Sequence, residues 1–104
     1  MKISLNGVLV EADAARIDPR DRGFTLSDGV FETIAVRRGK SPRLSNHLAR
    51  LRNGLATIGL SLAVSDETLV GWMTDLLMDA EMTDAALRLT VSRGIGAQIG
   101  RAHV

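Results

Sequence analysis

Cysteine and tyrosine are both missing from this 104-residue chain, and proline occurs only twice. Without cysteine there is neither a disulfide framework nor a thiolate metal site, which fits a reducing compartment. Three aromatics, Phe24, Phe31 and Trp72, are too few for a base-stacking platform. Neither sign of charge dominates: 13 basic residues against 12 acidic leave +1, so nothing draws nucleic acid or acidic lipid electrostatically. No apolar run approaches the ~20 residues that span a bilayer. Residues 1–11 alternate with polar positions and lack the apolar core of a signal peptide. The two histidines, His47 and His103, join no acidic cluster with metal-ligand spacing, so no metal site is expected. A nucleophile elbow of the G-x-S-x-G type is absent, and Gly94-x-Gly96 is followed by Ile99 where a dinucleotide fingerprint needs glycine. The expectation is a soluble, cytoplasmic protein with no nucleic-acid or membrane partner.

What is present reads as one small domain. Hydrophobic residues at 45% and charged residues at 24% are ordinary globular values. Asn6-Gly7 lies between two apolar-rich runs, the pattern of a two-residue type I′ hairpin, which needs φ > 0 at both positions. The polar connector after Glu11 contains Asp18-Pro19 and is expected to anchor through Ile17. A strand follows to Arg37, then a turn at Arg38-Gly39-Lys40 and a short edge strand limited by Pro42. Leu48, Leu51, Leu55 and Ile58 at helical spacing predict a helix capped by Ser45 and ended by Gly59. Ser65 caps a second helix with Asp66 and Glu67 at its positive end, and Leu69, Val70, Met73, Leu76, Leu77 and Ala80 form its apolar stripe. Leu87, Leu89 and Val91 alternate with Arg88, Thr90 and Ser92 as a last strand. Strands and helices do not alternate, which predicts an α+β two-layer sandwich: a mostly antiparallel sheet with two helices on one face.

Residues 21–34 form the stretch that the rest surrounds. It is a polar loop punctuated by Gly23 and Gly29, both read as sites of backbone freedom, leading into the strand of Val30, Phe31, Thr33 and Ile34. Glu32 falls on the same strand face as Val30, Ile34 and Val36, so it is either a hydrogen-bonded structural carboxylate or a site residue. His47 and Arg50 share one helix face. That face is either solvated or an anion site, since the arginine fork suits phosphate. Taken alone, the structural reading outweighs the functional one in both cases.

The order of motifs along the chain shifts that balance. Asn6-Gly7, Asp21-Arg22-Gly23-Phe24, Ser27-Asp28-Gly29-Val30-Phe31-Glu32-Thr33, Asn46-His47-Leu48-Ala49-Arg50-Leu51 and Leu89-Thr90-Val91-Ser92-Arg93-Gly94 together resemble the N-terminal domain of the class IV aminotransferases. These are fold type IV pyridoxal-phosphate enzymes: branched-chain aminotransferases, D-amino-acid aminotransferases and 4-amino-4-deoxychorismate lyases. The resemblance implies that pyridoxal 5′-phosphate is the cofactor, that Arg50 grips its phosphate, that Phe31 lines the substrate pocket and that the intact protein is a homodimer.

Within the family, Thr33 and Ala35 stand where branched-chain enzymes usually carry Gly and Arg. Gln98 and Gly100 stand where the D-amino-acid enzymes place an Arg-x-His carboxylate trap, and Arg101-Ala102-His103 comes three residues too late. Ser92-Arg93-Gly94-Ile95-Gly96 fits the lyase pattern until Gln98 replaces its arginine. The lyase, which eliminates pyruvate to give 4-aminobenzoate for folate synthesis, is the best match. A branched-chain or D-amino-acid transaminase is the alternative, and a non-catalytic α+β interaction module is the alternative of another class. The family's Schiff-base lysine matches neither Lys2 nor Lys40, the two lysines of the chain. No catalytic residue is therefore expected here, and the chain alone is expected to be inactive. Residues 1–98 are read as the N-terminal domain of a longer enzyme whose lysine-bearing domain is absent. Residues 99–104 spell one translation frame of a common sequencing adapter and are read as read-through, which would also make Gln98 an altered arginine codon.

Overall fold

The computed structural model describes residues 1–95; Gln98 and the 99–104 tail lie outside the described residues. The chain opens with the hairpin β1 (Lys2–Leu5) and β2 (Val8–Glu11), paired antiparallel with Leu5 opposite Val8. Asn6 and Gly7 take φ of 52° and 85°, the left-handed values that a type I′ turn demands. Gly7 has a second reason to lack a side chain: a Cβ there would lie 2.5 Å from Trp72 Cε2. The hairpin rests on that indole.

After a short 3₁₀ turn at Ala12–Ala14, the chain forms α1 (Arg22–Leu26), β3 (Gly29–Val36), α2 (Leu44–Thr57), α3 (Asp66–Asp79) and β4 (Ala85–Ser92). β3 and β4 pair antiparallel from Gly29 opposite Ser92 to Val36 opposite Ala85. Their inward positions, Ile34, Val36 and Val91, are buried, as are Leu48, Leu51 and Leu55 of α2, Leu60 and Leu69. Each such aliphatic side chain contributes ~1.5–3 kcal/mol on burial, so the core rather than helix propensity holds α2 and α3 in place. The result is the expected α+β arrangement, helices layered on antiparallel strands. The strands, however, form two separate two-stranded sheets, β1–β2 and β3–β4, instead of one.

The helix ends follow local chemistry. Ser65 Oγ accepts the Thr68 amide at 3.1 Å, as predicted for an N-cap. Gly59, at φ 73°, ends α2 in a Schellman turn in which the Leu60 amide reaches the Leu55 carbonyl at 2.8 Å. At the other end of α2 the helix begins at Leu44, one residue before the expected cap Ser45, and Arg43 occupies the cap without a side-chain hydrogen bond.

Four further expectations are corrected. Residues 41–43 form no strand, since only the bridge between Arg37 and Lys40 forms there. Ile17 does not anchor its connector: it is 66% exposed. Residues 22–26, read as loop, form α1, capped by Asp21, whose Oδ1 accepts the Gly23 amide at 2.7 Å. Gly23 and Gly29 are not sites of positive φ; the left-handed residue there is Ser27 at 54°. Both glycines serve close approach instead. A Cβ on Gly29 would lie 2.4 Å from the Val91 carbonyl oxygen, and one on Gly23 would lie 2.5 Å from Ser92 Cβ.

Candidate functional site

Glu32 is a buried carboxylate at 5% exposure, placed by the alternation of β3 on the inner face beside Ile34 and Val36. An unpaired charge there would be costly, and α2 supplies two partners from one of its faces. His47 Nδ1 lies 2.8 Å from Glu32 Oε1, and Arg50 Nε donates to Oε2 at 2.9 Å. Because an ionised carboxylate only accepts, His47 carries its proton on Nδ1 in this contact. The Arg50 hydrogen bond, and after it the one from His47, hold the Glu32 carboxyl below the ordinary glutamate value against the opposing effect of burial. The same bond to Glu32 raises Arg50.

The Arg50 geometry is specific. Only Nε is engaged, the side chain is 75% exposed, and the two terminal nitrogens meet no protein acceptor among the described residues. A guanidinium anchored at its inner edge with its outer pair of N–H groups in solvent is suited to a phosphate or carboxylate. The donor set therefore fits the phosphate of a cofactor.

Phe31 points the other way. It is 54% exposed on the outer face of β3, with the Arg88 guanidinium 4.0 Å above its ring centroid. Thus the structure joins Glu32, His47 and Arg50 into one cluster and leaves Phe31 across the sheet, beside Arg88. Arg88 was missed by the sequence reading, although its outward position two residues before Thr90, the cross-strand partner of Phe31, was the available signal. The residues 92–94, which carry the lyase resemblance, are used internally. Ser92 Oγ donates to Asp21 Oδ2 at 3.0 Å, and Arg93 Nε donates to Asp28 Oδ2 at 2.6 Å alongside Arg22 Nε at 3.1 Å. Arg93 Nη2 also caps the Ile58 carbonyl at 2.5 Å, tying loop, strand and helix end together. Among the described residues no group of three or more His, Cys, Asp or Glu side chains is placed to hold a metal ion, and no helix is long and apolar enough to cross a membrane.

The chain belongs to the amino-transferase class IV family, whose model matches residues 29–103. It is 36% identical over 94 residues to the D-alanine aminotransferase of Bacillus licheniformis, covering 90% of this chain and 33% of that one. A putative branched-chain-amino-acid aminotransferase of Methanocaldococcus jannaschii is 32% identical over 96 residues, 92% of this chain and 33% of that one. The fold matches that of a fold IV-transaminase from Curtobacterium pusillum, with TM-score 0.74 and 31% identity over 92% of this chain and 34% of the other. It also matches the PLP-bound form of a hypothetical aminotransferase from Mycobacterium tuberculosis, with TM-score 0.79 and 24% identity over 99% and 37%. The chain spans about a third of the length of the curated relatives it matches.

Proposed function

We propose that this chain is the cofactor-phosphate-binding, N-terminal part of a pyridoxal-phosphate-dependent transaminase that moves an amino group between an amino acid, of the D-alanine or branched-chain type for which its relatives are named, and a 2-oxo acid. The observation that carries this is the Arg50 fork, anchored through Nε on Glu32 with its terminal nitrogens in solvent. Arg50 would hold the cofactor phosphate, with Glu32 and His47 fixing its direction. When bound, the cofactor supplies an electron sink for the substrate Cα. Phe31 would wall the substrate side, and Arg88, stacked on it, would offer a cation to a substrate carboxylate. Lys2 is tied to Asp79 at 3.2 Å and Lys40 sits in the turn after β3, so neither is assigned as the Schiff-base lysine. On this reading the lysine would come from another part of a longer, dimeric, cytoplasmic enzyme, in keeping with a chain that spans about a third of its curated relatives, and these 104 residues by themselves would not turn over.

A second reading, the aminodeoxychorismate lyase, rests on Ser92-Arg93-Gly94. Since the Ser92 and Arg93 side chains contact Asp21 and Asp28, the motif supports the loop equally well in a transaminase. The binding reading is tested by titrating isotope-labelled chain with pyridoxal 5′-phosphate and, in parallel, with pyridoxal. The Arg50 Nε–H resonance should move with the phosphate ester alone, and the response should vanish in Arg50→Ala; equal shifts with both compounds would reject it. The reaction is tested with the complete gene product, by pyruvate formation from D-alanine and a 2-oxo acid against 4-aminobenzoate formation from aminodeoxychorismate.

A further inference from the structure

Most basic side chains of the described residues are engaged. Lys2 meets Asp79, Arg20 meets Asp18, Arg22 and Arg93 share Asp28, Arg50 holds Glu32 and Arg52 holds Asp66. Arg16 donates to two carbonyls, and Arg88 lies over Phe31. Among the described residues, the basic side chains that meet no protein partner are Arg37, Arg38, Lys40 and Arg43, all exposed and all in one short stretch. The sequence shows the same polarity. Between Gly29 and Ser65 there are six basic residues and one acid, Glu32, while the rest of the chain has seven basic against eleven acidic. Glu32 is buried and already receives His47 and Arg50. The turn at residues 80–84, joined to this stretch through the Gly39 amide and the Thr83 carbonyl, brings Glu81 and Asp84. Neither carboxylate pairs with the four side chains; Asp84 Oδ1 accepts the Arg38 backbone amide at 2.8 Å.

Local stability does not account for these charges. Arg38, at φ 52°, takes left-handed backbone that Asn or Gly adopts more readily. Arg43 is the N-cap of α2, the positive end of the helix dipole, with no side-chain capping bond and no acid in the first turn. Their placement has another consequence. Arg43, His47 and Arg50 stand at i, i+4 and i+7 of α2, on one face, and the step from Arg43 to Arg50 covers ~10 Å of helix. Screening in ~0.1 M salt acts over a similar ~10 Å, so the field of the turn reaches the fork. α2 itself carries no acid to interrupt the row.

We propose that Arg37, Arg38, Lys40 and Arg43 are a capture surface that gathers a phosphate-bearing small molecule from solvent and passes it along α2 to the Arg50 fork. The inference rests on Arg50 as the phosphate anchor and adds a kinetic role for side chains that do not touch the seated ligand. Charge of one sign around an entry path raises association rates 10-fold or more, with little effect on dissociation.

The test uses the complete gene product stripped of cofactor, and pyridoxamine 5′-phosphate as the probe, because it carries the phosphate but no aldehyde to bond a lysine. Stopped-flow fluorescence gives association and dissociation rates separately. In a variant combining Arg37→Gln, Arg38→Asn, Lys40→Gln and Arg43→Gln, association should slow ~10-fold at low ionic strength, with dissociation unchanged. The difference should close in ~0.5 M salt, where screening is short-ranged. Pyridoxamine, which lacks the phosphate, should bind both proteins at one rate. A second variant with Lys at positions 37, 38 and 43 keeps the charge and should keep the parent rate, which separates charge from shape and from folding. An unchanged association rate at low salt overturns the proposal, as does a deficit that persists at high salt or falls on dissociation. Arg50→Ala reports on the anchor instead: it should speed dissociation, and failure to do so rejects the anchor reading whatever the capture variant shows.

Discussion

Glu32 and Arg50 meet at 2.9 Å although 18 positions separate them, and only one end of the pair is buried. The carboxylate sits in the core at 5% exposure while the guanidinium reaches solvent at 75%. The pair therefore works as a hinge pin: its inner end is fixed by packing and its outer end offers donors. Exposed ion pairs contribute little to stability, but a desolvated carboxylate depends on its donors.

Replacing Glu32 by Gln removes the charge and turns an amide N–H₂ toward one of two donors. A loss of ~1.5–3 kcal/mol is expected, the range for hydrogen bonds to charged groups, as a lower urea midpoint at unchanged slope. Arg50→Lys should lose less stability than Glu32→Gln yet abolish the phosphate-selective response, because an ammonium cannot hold Glu32 and offer a fork together.

The acid limb of the stability curve should carry the signature of the same carboxylate. Its value in the fold is lowered from 4.5, so the folded state favours the ionised form. The stabilisation is complete above about 4.5 and is lost as pH falls through the lowered value. Asp28, lowered from 3.8 chiefly by the Arg93 hydrogen bond, acts in the same direction. Urea midpoints measured from about pH 6 downward should fall, and Glu32→Gln should flatten that fall. An unchanged slope in the variant would remove Glu32 from the account.

Two glycine substitutions should have opposite signs. Gly29→Ala drives a Cβ to 2.4 Å from the Val91 carbonyl oxygen and should destabilise by ~1–3 kcal/mol, by separating β3 from β4. Gly71→Ala, within α3 where nothing lies within 4 Å of the new atom, should stabilise by ~0.5–1 kcal/mol. Thermal melts of the two variants check the contrast.

Arg93 joins β4 to Asp28 and to the end of α2, with side chains 17% and 18% exposed in the ion pair. Arg93→Ala leaves a half-buried Asp28 with Arg22 alone and strips the Ile58 carbonyl of its donor, so the urea midpoint should fall. Exchange rates of the residue 22–28 amides should rise in parallel; a variant as stable as the parent would make the contact incidental.

Much of this architecture could be read from residues alone, and the reasons differ by element. Asn6-Gly7, Ser65 and Gly59 were readable because each acts through its own neighbours. The alternation of β3 and β4 and the leucine spacing of α2 were readable because burial imposes a period. What could not be read was long-range: that Gly23 and Gly29 lie against β4, that Ile17 is left exposed and that the strands divide into two sheets. The site shows the same divide. Glu32, His47 and Arg50 were each noticed, but residue types and spacing on separate elements do not reveal that one carboxylate receives both donors.

The burial of Glu32 also bears on how the strand finds its partner. Shifting β3 by one residue against β4 would send Phe31 and Thr33 into the core and expose Ile34 and Val36. It would also carry the carboxylate to the far face and leave His47 and Arg50 with no acid to meet. A purely aliphatic inner face would tolerate such a slip more easily. By placing one charge in that row, the chain penalises misaligned pairings, so the residue that aims Arg50 also proofreads the sheet.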